Sequence, residues 1–253
     1  MMKKLFLSLG ALLVAGGCSA TQEESKSSEL TVSAAASLQD VLGEIEAQFE
    51  EETGIEVTLN YGSSGSLKQQ ISQGAPVDLF ISAAENHFDE LVEDGVISES
   101  ESVRLIGNEL VLVVPRDDFD IATFEGLTEV ESLSIGTPET VPAGMYSQEV
   151  FEELGIWEDV QEQIVFAKDV RQVLTYVESG NVDAGVVYQS DALAGEQLKI
   201  AAVAQEEWHT PIVYPAGIIE DTDYREDAEA FFEYLQSEEA MALFEELGFK
   251  RLN

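Results

Sequence analysis

Apolar positions recur along the chain in two alternating rhythms. Leu30 to Ser33 is a short apolar run, and Leu38, Val41, Leu42, Ile45 and Phe49 then follow at helical spacing until Gly54. The first pattern predicts a strand and the second an amphipathic helix stopped by glycine. Ile55 to Tyr61 alternates with a period of two and predicts another strand, after which Leu67 and Ile71 mark a short helix ending at Gly74. Behind Pro76, Val77 to Ser82 reads as a buried strand and Asn86 to Glu93 as the next helix. This β-α-β-α-β order predicts an α/β unit with a mainly parallel sheet and helices on both faces. Sheets of that kind bind ligands beyond the carboxyl ends of their strands.

A second unit begins near Glu109. Leu110 to Val114 and Leu133 to Gly136 are strand-like, Pro142 and Ala143 open a helix, and Ser147 to Leu154 is helical up to Gly155. Val170, Val173, Leu174 and Val177 form one helix face stopped by Gly180, and Ala184 to Tyr188 is a strand. Pro211 to Ile219 returns as an extended segment, and Ala228 to Leu247 carries C-terminal helices. Two lobes fit this order better than one sheet of about ten strands. Crossings near Asn108 and Tyr214 divide the chain into residues 29–107 plus 216–253 for the first lobe and 108–215 for the second.

The N-terminus changes the picture of where the chain works. Lys3 and Lys4 precede an apolar stretch from Leu5 to Ala15, so residues 1–17 read as a signal peptide, too short for an ordinary membrane span. Val14-Ala15-Gly16-Gly17-Cys18 resembles a bacterial lipobox, which implies a diacylated Cys18 at the mature N-terminus. The polar segment that follows, to Ser28, reads as a flexible tether. This predicts an extracytoplasmic lipoprotein anchored on the outer face of the cell membrane. Because Cys18 is the only cysteine, the mature domain has no thiol for a disulfide, a metal or nucleophilic catalysis.

Charge excludes one class of partner outright. Twelve basic against 50 acidic residues give a net charge of −38, which disfavours nucleic acid. Acidic clusters such as Glu50, Glu51 and Glu52 lie among helical apolar positions and read as solvated faces. At about 0.1 M salt the repulsion of an anion is screened beyond roughly 10 Å, so local dipoles decide binding at short range.

Candidate chemistry sits at the junctions. Ala34-Ala35-Ala36-Ser37-Leu38 and Tyr61-Gly62-Ser63-Ser64-Gly65-Ser66 each place hydroxyls and bare amides where a strand gives way to a helix. Unsatisfied amides at a helix start favour a negative guest. Each residue also has a purely structural reading. Ser37 with Asp40 fits a capping box, and Ser64 fits a turn or cap. Pro142 and Ala143 fit an ordinary first helical turn, Asp169 a cap for the helix at Val170, and Tyr188 core packing.

Taken in order, Ala34 to Leu38, Ser63 to Leu67, Gly74 to Ala83, Val141 to Tyr146, Asp169 to Gln172 and Asp183 to Tyr188 resemble the motif series of molybdate-binding proteins of ABC importers. The similarity runs from about Leu30 to Phe249. It implies a two-lobe type II periplasmic-binding-protein fold with the ligand in the interlobe cleft. It also implies that Ser37 and Ser64 bind by hydroxyl and amide, Ala143 and Val170 by amide, and Tyr188 by hydroxyl. Gly65 departs from the serine-rich form of its loop, which implies a looser loop there. The implied partners are the oxyanion, molybdate or tungstate, and an ABC permease, with the receptor a monomer and no cofactor.

The chemistry of those donors agrees. Molybdate and tungstate carry no proton at neutral pH, so every oxygen only accepts. Phosphate keeps a proton and calls for an acceptor, whereas sulfate must be excluded by cleft size. A sulfate, phosphate or organic-acid receptor is therefore the rival reading. Arg171 is the sole motif arginine and reads as a lobe-stabilising ion pair. His87 and His209 lie outside the motifs, which argues against an enzyme. The carboxylates are scattered, which argues against a bare metal ion; molybdenum would be held only as its oxyanion.

Overall fold

The computed structural model describes residues 29–116 and 121–252. The expected signal peptide, the expected lipidation site at Cys18 and the expected tether lie outside the described residues. In chain order the first elements are β1 (Glu29–Ala35), α1 (Gln39–Thr53), β2 (Glu56–Gly62), α2 (Ser64–Ser72), β3 (Leu79–Ile81), α3 (Glu85–Glu93) and β4 (Ile97–Gly107). Next come β5 (Leu110–Pro115), β6 (Leu133–Gly136), α4 (Pro142–Glu153), α5 (Trp157–Val160), β7 (Ile164–Ala167), α6 (Val170–Glu178), β8 (Ala184–Tyr188), α7 (Gln189–Ala194) and β9 (Leu198–Val203). The chain closes with β10 (Val213–Ile219), α8 (Arg225–Tyr234), α9 (Glu238–Glu246) and β11 (Lys250–Arg251).

These strands form two sheets, in the orders β11-β4-β10-β3-β1-β2 and β7-β6-β8-β5-β9. Parallel pairing is confined to β2-β1-β3 and to β7-β6-β8; the pairs β3-β10, β10-β4 and β4-β11, and β8-β5 and β5-β9, are antiparallel. Each sheet is thus mixed where the sequence pattern predicts mainly parallel pairing. The physical reason is the crossover. The chain leaves the first sheet after β4 and enters the second through β5, and β10 brings it back, so these connecting strands run against the βα units they join. Only Asn108 and Glu109 separate β4 from β5.

Burial follows the expected periods. In β3, Leu79 and Ile81 enter the main core, and Phe80 points to the opposite face, stacking on Phe88 at 6.1 Å in a smaller cluster with Leu67, Ile71 and Leu91. Alternation across β3 therefore places helices on both faces of the first sheet. On the other face, Phe49 of α1 packs edge-on against Phe231 of α8 at 5.0 Å. The motif residue Asp78 is structural. Its carboxylate accepts from Thr31 N–H at 2.8 Å and from the Thr222 hydroxyl at 2.6 Å, tying β1 to the segment after β10.

Candidate functional site

The carboxyl ends of β1, β2 and β3 face the carboxyl ends of β6, β7 and β8 across a closed crevice, and one buried cavity lies between them. Ser37, Ser64 and Ala83 line it from the first lobe, and Ala143, Val170 and Tyr188 from the second. All five sequence-predicted site residues are buried and come together there.

Local capping explains why their donors point inward. In α2 the cap is Ser63, whose side chain accepts from Ser66 N–H, and this leaves Ser64 N–H, the first of the helix, without an intrahelical acceptor. The Ser64 hydroxyl oxygen accepts from Ala83 N–H at 2.9 Å, so its own hydrogen is free for another partner. In α6 Asp169 accepts from Gln172 N–H at 2.8 Å, as its position predicts, and Val170 N–H is the first amide of the helix. In α4 the first position is Pro142, which has no N–H, so Ala143 supplies the first donor. That donor can reach the cavity because α4 crosses β6 in close contact. A Cβ on Gly144 would lie 2.0 Å from the Gly136 carbonyl oxygen.

Ser37 departs from its capping reading. It sits in a 3-10 turn, Ala36–Leu38, between β1 and α1, and makes no side-chain cap. Its hydroxyl instead lies 2.9 Å from that of Tyr214. Tyr188 ends β8 with its ring edge-on to Tyr214, and its buried hydroxyl has no hydrogen-bond partner among the described residues. Burial first, and then Tyr214, Tyr146 and Asp191, push the Tyr188 phenol far up in pKa, so it remains a donor.

Among the described residues no cationic side chain lines the cavity, and Asp169 is the only charged residue there, with one of its oxygens engaged by its own helix. Three helix starts and a 3-10 turn aim partial positive charge at one point, which suits an anion that only accepts hydrogen bonds. Neither His87 nor His209 lines the cavity.

Contacts between the lobes ring the site. Gly65 N–H donates to the Thr140 carbonyl at 3.0 Å. A Cβ at Gly65 would lie 2.8 Å from the Thr140 carbonyl oxygen and Cα, so glycine here permits close approach. The looser loop expected at this position is corrected: Gly65 is buried and docked. Arg171 pairs with Asp40 across the crevice, as its ion-pair reading predicts, and its Nε lies 3.5 Å from Asp191 of α7. Burial pushes the Asp191 carboxyl up to about 7, with Arg171 opposing. His87 lies on the same seam, both ring nitrogens unpartnered among the described residues, and burial holds its pKa below the usual value.

Sequence reasoning missed Ala83, Thr140, Asn108 and Tyr214 as supports of the site. Ser37 and Tyr214 are 177 positions apart, and nothing in either local pattern joins them.

Comparison with known proteins supplies the family. Residues 30–250 match the model of the bacterial extracellular solute-binding proteins. A Bacillus subtilis protein, provisionally named an ABC transporter substrate-binding lipoprotein, is 52% identical over 95% of this chain and 95% of its own length. The molybdate-binding protein ModA of Escherichia coli is 37% identical over 87% of this chain and 88% of its own. The periplasmic molybdate-binding protein of Azotobacter vinelandii superposes with a TM-score of 0.80 at 26% identity, over 88% of this chain and all of that one. The two-sheet fold, the interlobe site and these relatives agree: the chain belongs to the bacterial extracellular solute-binding proteins, a family of receptors and not of enzymes.

Proposed function

We propose that this protein captures molybdate, and tungstate with it, outside the cytoplasm and delivers it to an ABC import permease. Ser37 and Ser64 bind the oxyanion by hydroxyl and amide, Ala143 and Val170 by amide, and Tyr188 by hydroxyl. The observation that carries the reading is the Tyr188 hydroxyl, buried in the cavity wall with no hydrogen-bond partner among the described residues, while first-turn amides from both lobes surround the same space. A buried donor without an acceptor costs about 1–3 kcal/mol, and a guest composed of acceptors removes that cost. The names of the E. coli and A. vinelandii relatives support molybdate as that guest.

Donors from two lobes meet only when the crevice is shut, so the ligand favours the closed form by its extra contacts there. That closed form is what the permease recognises. A diacylated Cys18 keeps the monomeric receptor on the outer face of the membrane, as the name of the B. subtilis relative supports. Calorimetric titration of the mature protein with molybdate, tungstate, sulfate and phosphate tests the reading. Binding of the first two, at least a hundredfold tighter than the others, is expected. A preference for sulfate or phosphate overturns it.

A further inference from the structure

We propose that Tyr214, held by Asn108, is a positioning residue that fixes the Ser37 hydroxyl as a donor and so tunes the site toward oxyanions without a proton. The proposal rests on Ser37 binding the oxyanion. Tyr214 belongs to β10, the strand that returns from the second lobe to the first, and it is fully buried. Asn108 occupies the other crossing, between β4 and β5, and is buried beside it.

Hydrogen directions follow from the partners. Glu109 N–H donates to Asn108 Oδ1 at 2.9 Å, which fixes the orientation of the amide. Its Nδ2 must then face the other way, where it donates to the Ser190 hydroxyl at 2.9 Å and to the Tyr214 hydroxyl at 3.3 Å. Tyr214 Oη thus accepts from Asn108 and has one hydrogen left to place. Ser37 Oγ lies 2.9 Å away in a contact that either hydroxyl could donate, and the proposal gives the hydrogen to Tyr214. In the reverse arrangement Ser37 donates to Tyr214 and the phenol hydrogen turns to the neighbouring Tyr188 hydroxyl, and Tyr214→Phe would then strengthen molybdate binding rather than weaken it. Once Ser37 Oγ accepts from behind, its own hydrogen is turned to the cavity.

Ser64 has the same arrangement by a different route, since Ala83 N–H fills its acceptor side. Both hydroxyls, which in isolation could accept or donate, are therefore set as donors by a partner on the far side. A guest that carries a proton, such as monohydrogen phosphate, meets the hydrogen of each hydroxyl first and has only the one remaining lone pair of each to donate to. This differs from selection by size, because it discriminates by protonation state.

Tyr214→Phe removes only the phenol oxygen. Molybdate affinity is expected to fall about tenfold, the scale of a hydrogen bond to a charged group. Phosphate should weaken much less or even strengthen, because the freed Ser37 hydroxyl can turn and accept. In a Ser37→Ala background the Tyr214→Phe change should have no further effect. Asn108→Asp provides a second test with Tyr214 intact. Its carboxylate, once ionised, draws the phenol hydrogen away from Ser37, so molybdate affinity should fall with rising pH more steeply than in the wild type. Equal losses from Tyr214→Phe with and without Ser37, or an unchanged molybdate-to-phosphate ratio, overturn the proposal. Failure of the wild type to bind molybdate at all would instead overturn the functional reading beneath it.

Discussion

Gly65→Ala separates closure from folding in one substitution. The added methyl would stand 2.8 Å from the Thr140 backbone, across the closed seam, and 3.1 Å from His87 Nε2 of its own lobe. Overpacking of this kind costs about 1–3 kcal/mol, and the strained or lost bond from Gly65 N–H to the Thr140 carbonyl adds about 1 kcal/mol. The closed form is then penalised by about 2–4 kcal/mol, which raises the Kd for molybdate roughly 30- to 1,000-fold. An open form never brings Gly65 against Thr140 and escapes that part of the penalty, whereas the milder contact with the His87 side chain is common to both forms. Because Gly65 is the second residue of α2, alanine there gains up to about 1 kcal/mol of helix propensity, worth about 2–4 °C in Tm. Titration calorimetry, a thermal melt of the ligand-free protein and small-angle scattering with and without molybdate read the three quantities separately. The reasoning is refuted if the variant binds within threefold of the wild type, or if its ligand-free melting point drops by more than about 5 °C.

Three further outcomes follow from the site. Tyr188→Phe should weaken molybdate by about 10- to 100-fold, the worth of a hydrogen bond to a charged acceptor, yet leave the ligand-free melting point unchanged or higher because it deletes an unpartnered buried hydroxyl. Ser37→Ala should weaken binding on the same scale, and calorimetry showing unchanged affinity would remove it from the site. Asp191 has a carboxyl raised from 3.8 to about 7, so the folded state holds its proton more tightly than the unfolded state. Its contribution to stability is complete below about pH 4 and is lost as pH rises to about 7. Melting curves of Asp191→Asn should lack that decline, and parallel slopes in the two proteins would assign it elsewhere.

The sequence made the βα units legible because they are strongly periodic and punctuated by glycine. Helix α1 ends before Gly54 and α6 before Gly180, and the runs at Leu30, Leu110 and Ala184 are all strands. Strand β4 was not legible. Its middle, Ser98 to Arg104, is polar apart from Val103 and ranges from half-buried to exposed, and only Ile97 and Leu105 to Gly107 are buried, so it has no two-residue alternation to read. Strands β7 and β9 are the edges of their sheet, with Phe166, Val203 and Ile200 partly exposed, and their backbones are held by neighbours distant in sequence. The site divides along the same line. Helix starts announce themselves locally, and all five expected residues meet in one cavity. Their supports do not, because Tyr214 at Ser37 and Thr140 at Gly65 are tertiary contacts that no local pattern encodes.

A chain of net charge −38 that captures a dianion should respond to salt in the opposite sense to an electrostatically steered receptor. The long-range field repels the ligand, and the attraction that holds it comes from neutral amides and hydroxyls effective only at contact. At 0.01 M ionic strength the screening length is about 30 Å, comparable with the lobes themselves, whereas at 0.15 M it is about 8 Å and the ligand meets little of the field until it enters the crevice. The association rate constant for molybdate, measured by stopped-flow, should therefore rise with added sodium chloride. The dissociation rate constant should rise as well, because salt also screens the Arg171–Asp40 pair that spans the partly exposed rim. Arg171→Gln should abolish the salt dependence of release while leaving that of capture. An association rate that falls with salt would mean that a cationic patch guides the anion inward, and the cation-free cavity wall would no longer account for recognition.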